Sequence, residues 1–169
     1  SKYKLIRGLM NDSNSNLTCT IVTAHYPPES NAAANRIAAM AHELRDAGWT
    51  VNVITQLPHH PMNKVAKAHT RLLGVQHESG IKVVRLRPWI VPRTNLPLRL
   101  LSEASFAARS LPQIVKTKTN VVISSVPYMF AGPASLLAAR LTGKHHVLDV
   151  RDLTWHYPKV SGKKTFGID

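Results

Sequence analysis

Short apolar runs of strand character alternate along the chain with longer stretches whose apolar residues recur every three or four positions. Leu17 to Ala24 is the first strand-like run. After it Ala33, Ile37, Met40, Leu44 and Ala47 fall on one face of a helix, Asn35, Arg36, His42, Glu43 and Asp46 fall elsewhere on the wheel, and Gly48 supplies a stop. Thr50 to Thr55 has strand composition and follows within two residues, which completes a β-α-β unit whose right-handed crossover makes its strands parallel. Leu57-Pro-His-His-Pro61 ends that strand, and residues 62–80 show no period and read as a long loop with room for a short helix.

Ile81 to Arg87 is a third strand, closed by Pro88 and Pro92. Leu96 to Lys116 is helical by composition, with Pro97 suited to a first turn and Pro112 expected to end or kink it. Asn120 to Ser125 is a fourth strand, Phe130 to Thr142 a helix stopped at Gly143, and His146 to Val150 a fifth strand. Strands that alternate with helices predict an α/β fold, Rossmann-like and three-layered α/β/α, with a mainly parallel sheet covered on both faces. Residues 1–16, basic and then rich in Ser and Asn, read as a flexible leader, 17–157 as the domain, and 158–169 as a truncated tail.

The polar residues gain meaning from that topology, because a parallel sheet brings the carboxyl ends of its strands to one edge. His25 and Tyr26 follow the first strand, His59 and His60 the second, Ser124, Ser125 and Tyr128 the fourth, and Arg151 and Asp152 the fifth. The stretch Thr20 to Arg36 is the centre of this arrangement. Its two prolines end the strand and Ser30 or Asn31 can cap the helix, whose first amides would then face the crevice and favour anions. A rigid strand-to-helix turn with no ligand fits the same residues. Arg151-Asp152 also has two readings: a carboxylate that orients or deprotonates a hydroxyl beside a phosphate-holding guanidinium, or an Asp that caps the next turn.

Composition narrows the classes. At 169 residues and 44% hydrophobic content there is one core's worth of apolar surface. The single cysteine, Cys19, forms no internal disulfide and fits a reducing compartment, and no apolar run reaches the length of a membrane span, so a cytoplasmic protein is expected. Lys and Arg outnumber Asp and Glu by 22 to 9, a net charge of +13 that attracts nucleic acid, anionic lipid or phosphorylated substrates alike. No Gly-x-Gly-x-x-Gly follows the first strand, Gly162-Lys-Lys-Thr165 lacks the rest of a P-loop, His59, His60 and His69 lack a fourth metal ligand at suitable spacing, and there is no Gly-x-Ser-x-Gly elbow.

Tyr26-Pro-Pro-Glu29 with Ala33-Ala-Asn-Arg36, the run Glu43 to Thr55, Pro58-His-His-Pro61, Gly80 to Arg85, Ser105-Phe106 and Val150-Arg-Asp-Leu153 together resemble, in order, the amino-terminal half of family 4 glycosyltransferases, the bacterial kind that builds surface polysaccharide. The resemblance implies a GT-B architecture of two Rossmann-like domains, this one receiving the acceptor, and transfer of a sugar from a nucleotide sugar with retention and without a metal or other cofactor. It implies that the loop from Glu29 through Ala34, with Asn31, Ala32 and Ala33, approaches the donor phosphates and that the residue after the fifth strand, Arg151 or Asp152, faces the reacting centre; Tyr26, His59, His60, Ser125 and Tyr128, placed at the strand ends, and Asn35 and Arg36 at the start of the helix, are the candidate substrate contacts. Where the family often has glycines in the first loop, this chain has Asn31-Ala32-Ala33.

A carboxyl-terminal domain with the Glu-x7-Glu type motif, in cis or in trans, would hold the nucleotide, and the lone chain is expected to be inactive. The implied acceptor is a glycan, lipid-linked, which places the protein at the inner face of the plasma membrane with Leu96 to Lys118 against lipid or, on the plainer reading, packed on the core with a solvated basic face. A non-catalytic Rossmann-like module for an anionic partner such as nucleic acid is the alternative, and nucleic acid is not the expected partner.

Overall fold

The computed structural model describes residues 17–59, 67–91, 96–125 and 130–150. In chain order these form β1 (Thr18–Val22), α1 (Ala32–Asp46), β2 (Thr50–Gln56), a 3₁₀ turn (Lys67–Leu72), β3 (Gly74–Glu78), β4 (Ile81–Leu86), α2 (Leu96–Lys116), β5 (Val121–Ser125), α3 (Ala131–Leu141) and β6 (His145–Asp149). The six strands make one sheet in the order β3-β4-β2-β1-β5-β6. All neighbours are parallel except β3, which runs antiparallel on the edge beside β4.

The two-residue period of the strands sorts their side chains into two cores. Cys19, Ile21, Val51, Val53, Ile81, Val83, Val121 and Ile123 face Ile37 and Ala41 of α1, whereas Val22, Ile54, Val84 and Val122 face Phe106 and Ile114 of α2 and Ala138 and Ala139 of α3. The three-layer Rossmann-like arrangement is therefore as the pattern predicts. Burial pushes the Cys19 thiol up to about 12, so at neutral pH it is a packed, protonated side chain.

The caps follow from the residues at the helix ends. Asn31 is the N-cap of α1, its Oδ1 accepting from the Ala34 amide at 2.8 Å. At the other end Gly48 has φ +88°; its amide donates to Arg45 O and the Trp49 amide to Leu44 O, a Schellman ending that needs a residue at ease in the left-handed region. α2 continues through Pro112 to Lys116 instead of stopping, and its last carbonyls are met by Lys144 Nζ, 2.5 Å from Ile114 O and 3.3 Å from Val115 O.

One expectation is corrected. Residues 74–78, read as loop from sequence, are a strand. They form an edge strand whose alternation is weak and largely polar (Gly-Val-Gln-His-Glu), and the hairpin closes through Ser79 (φ 48°) and Gly80 (φ 77°), the positive-φ pair of a two-residue turn. Residues 1–16 and 151–169, with the leader and tail expected there, lie outside the described residues, as do 60–66, 92–95 and 126–129.

Candidate functional site

β2 and β5 flank β1 on opposite sides: the chain leaves β1 through α1 to reach β2, and comes back through α2 to reach β5. In parallel sheets ligands bind outside the carboxyl ends of the strands at such a reversal, and the loop from Thr23 to Asn31 walls that edge after β1.

Glu29 is the hub of that wall. The residue is 4% exposed, and a carboxylate so far from water persists only with donors around it. Its Oε2 lies 2.6 Å from His25 Nδ1 and accepts from Asn31 Nδ2 at 3.1 Å, while its Oε1 accepts from the His59 amide at 2.7 Å. The loop after β1 is thus joined to the loop after β2, 30 residues on. His59 Nδ1 lies 3.0 Å from the Leu57 carbonyl, an acceptor only, which assigns its proton to Nδ1; the carboxylate assigns the His25 proton to Nδ1 in the same way. The two imidazoles stack at 5.7 Å between centroids and 26° between planes, and their side chains are 19% and 12% exposed. Carboxylate-oriented rings of this kind, reachable from solvent, can hold a hydroxyl or an anionic oxygen.

The other predicted residues divide into three groups. Asn31, Ala32, Ala33, Asn35 and Arg36 occupy the cap and first turns of α1; Arg36 Nε is buried and has no acceptor among the described residues. Ser125 is buried at the end of β5, in register with Asp149 of β6. Tyr26 sits elsewhere than expected: it is 4% exposed and belongs to the core under α1, and burial raises its phenol, so in this arrangement it anchors the loop from below. His60, Tyr128, Arg151 and Asp152 lie outside the described residues. Asp149, buried at the carboxyl end of β6, was not singled out in the sequence; its signal was a charge within an otherwise β-like run. Among the described residues no group of three or more His, Cys, Asp or Glu could hold a metal ion.

On the opposite face of the sheet Ser124 Oγ and His146 Nε2 share a hydrogen bond of 2.8 Å, and burial lowers the imidazole below its ordinary value. The folded state therefore prefers the neutral ring. Its contribution to stability is complete above the ordinary histidine value and is lost as pH falls through it, because the unfolded chain then gains a proton that the folded chain resists. Urea midpoints measured from neutral to mildly acidic pH should decline, and His146→Asn should flatten that decline.

Comparisons with known proteins give the family. Residues 31–167 match the glycosyl transferase 4-like domain. Over 132 residues the chain is 30% identical to a protein of Escherichia coli (strain K12) named as the colanic acid biosynthesis glycosyl transferase WcaI, a match that takes in 76% of this chain and 32% of that protein. The chain thus spans about a third of the length of this curated relative. Among solved structures, the C-terminal domain of the PF1911 hydrogenase from Pyrococcus furiosus superposes with a TM-score of 0.53 at 10% identity, covering 80% of this chain and 92% of that one, which is a likeness of fold alone. Phytolacca americana UGT2, complexed with UDP-2-fluoro-glucose and pterostilbene, gives a TM-score of 0.49 at 16% identity over 90% of this chain and 36% of that one. With the family matched across most of its length, the chain belongs to the glycosyl transferase 4-like domain family of glycosyltransferases.

Proposed function

We propose that this chain is the acceptor-side half of a GT-B glycosyltransferase that moves a sugar, with retention, from a nucleotide sugar to a lipid-linked glycan in surface-polysaccharide synthesis. The observation that carries the reading is the Glu29 hub, which fixes two oriented imidazoles at the carboxyl edge of the sheet beside its switch point. In this reading the donor phosphates lie at the amino end of α1, where the Ala32 and Ala33 amides and the dipole favour negative charge and Arg36 brings a cation. His25 and His59 hold acceptor hydroxyls.

In the transfer, the bond from the anomeric carbon to the diphosphate oxygen breaks, a bond to the acceptor oxygen forms, and the proton of the acceptor hydroxyl passes to the departing diphosphate oxygen. Arg151 and Asp152 are the pair proposed to serve that centre: the guanidinium beside the departing diphosphate, the carboxylate aligning the hydroxyl. A second GT-B domain, in cis or in trans, grips the nucleotide, and turnover depends on it.

The ¹⁵N-labelled chain titrated separately with nucleotide sugars and with a water-soluble lipid-phosphate-linked glycan tests this reading. Nucleotide sugar should shift the amides of Ala32 to Arg36, with Arg36→Gln weakening the response at least about fivefold, and the glycan should shift the His25 and His59 imidazole signals. Silence of both sets toward both ligands, with salt-sensitive binding to random duplex DNA, would replace this function with the anion-binding module.

The proposal includes contact with an anionic membrane through α2. Pro97, Leu101, Ala108, Pro112 and Val115 fall on one exposed side of the helix, Leu101 and Val115 being 51% and 49% exposed. Arg109 and Lys116 flank this ridge, Arg99 lies near the helix start, and the only acid in the helix, Glu103, is turned inward and 8% exposed. An apolar ridge with cations and no outward acid suits a lipid surface. No described helix is long and apolar enough to cross a membrane.

A further inference from the structure

The largest fully buried side chain in the described residues is a charged one, Arg85, at 1% exposure. It shares the strand parity of Ile81 and Val83 and so lies on the α1 side of the sheet, beneath the loop that carries Glu29. A guanidinium so far from water needs a counter-charge and acceptors. Glu78 of β3 supplies the first, meeting Nη1 at 2.6 Å and Nη2 at 3.0 Å as a bidentate pair. The remaining reach of Nη2 goes to the Pro27 carbonyl at 2.8 Å. Pro27 is two residues before Glu29, and proline offers no amide of its own to tie the loop down.

We propose that Arg85 is a positioning residue for the candidate site: held by Glu78 on the edge hairpin, it fixes the Pro27 carbonyl and thereby sets the Glu29 carboxylate under His25 and His59. The antiparallel strand β3 then has a task besides lengthening the sheet, since it brings the carboxylate that keeps this guanidinium in place. Lysine at position 85 keeps the charge and loses the fork, so it cannot grip Glu78 at two oxygens and Pro27 at once. The inference rests on reading the Glu29 cluster as substrate-facing. Its test needs no ligand, so it can fail while the glycosyltransferase reading stands, and the reverse.

Amide hydrogen exchange on the whole chain, residue by residue, provides that test. In Arg85→Lys and in Glu78→Ala, the amides of His59, which donates to Glu29 Oε1, and of Glu29, which donates to Tyr26 O, should exchange at least about tenfold faster, while Ile21 and Val53 in the sheet centre change less than about twofold. Arg45→Gln removes the bond from α1 to the hairpin turn at Ser79 O and leaves the Pro27 contact in place, so it should leave the His59 and Glu29 amides unchanged. Glu78 is 37% exposed on an edge strand, and its variant retains the fold should Arg85→Lys lose it. Unchanged exchange at His59 and Glu29 in Glu78→Ala, or acceleration there only in step with Ile21 and Val53, overturns the proposal.

Discussion

Glu29→Ala is expected to cost the chain about 2–4 kcal/mol and to part the two loops it joins. The residue is 4% exposed, and truncation takes their shared acceptor from His25 Nδ1, Asn31 Nδ2 and the His59 amide, each a buried or half-buried donor that had exchanged water for this carboxylate. The loss belongs to the category of a charge-assisted network broken on one side, where the groups left behind set the cost. Glu29→Gln separates shape from charge. It keeps one oxygen and turns the other position into a donor, which must confront either Asn31 Nδ2 or the His59 amide, both donors, so a loss of about 1–3 kcal/mol is expected, smaller than that of alanine. Urea midpoints give both values, and imidazole chemical shifts show whether His25 and His59 still stack. A midpoint for Glu29→Ala within experimental error of the parent would show that the carboxylate does not hold the loops together.

The sheet was legible because its central strands are apolar and its helices carry a clean apolar stripe. Ile21, Val53 and Ile123 lie side by side in the register that three separate apolar runs suggest, and Asn31 and Gly48 mark the ends of α1 as cap chemistry requires. β3 escaped because an edge strand with one wet face has no need of an apolar run; only the Ser79-Gly80 turn before Ile81 betrayed it.

Within the site, the local half was readable and the distant half was not. His25 and Glu29 are four residues apart, and both stand in the loop that the strand-to-helix junction singles out. The bond from His59 to Glu29 depends on which strand lies next to β1, which no local pattern states. Tyr26 illustrates the converse: a polar-tipped aromatic in the loop after β1 that is packed into the core beside Ile37 and Ala41 of α1. Arg85 carried a signal of its own, a charge at the parity of the apolar Ile81 and Val83.

Reversing two charges of α2, Arg109 beside the ridge and Arg99 near the helix start, should cut binding to anionic vesicles by at least about tenfold. Each basic side chain near such a surface contributes about 1 kcal/mol, and Arg99→Glu with Arg109→Glu replaces two attractions by two repulsions. Arg109 also donates to Arg87 O at 2.6 Å and Arg99 pairs with Glu103 at 3.8 Å, so the Gln pair, Arg99→Gln with Arg109→Gln, removes the charges and these contacts without adding repulsion and should fall between parent and reversal. Leu101→Asp examines the apolar share: at 51% exposure its loss costs the fold about 0.5 kcal/mol or less, while an acid in the middle of the ridge should weaken flotation as much as one charge reversal. Flotation with vesicles containing about a third anionic lipid, set against neutral vesicles and repeated at high salt, measures all three, since a Debye length of about 3 Å at 1 M leaves only the apolar contribution. Should the parent chain fail to float with anionic vesicles at low salt, the outward cations of α2 would be a solvated surface, and the acceptor would have to reach the Glu29 cluster from solution.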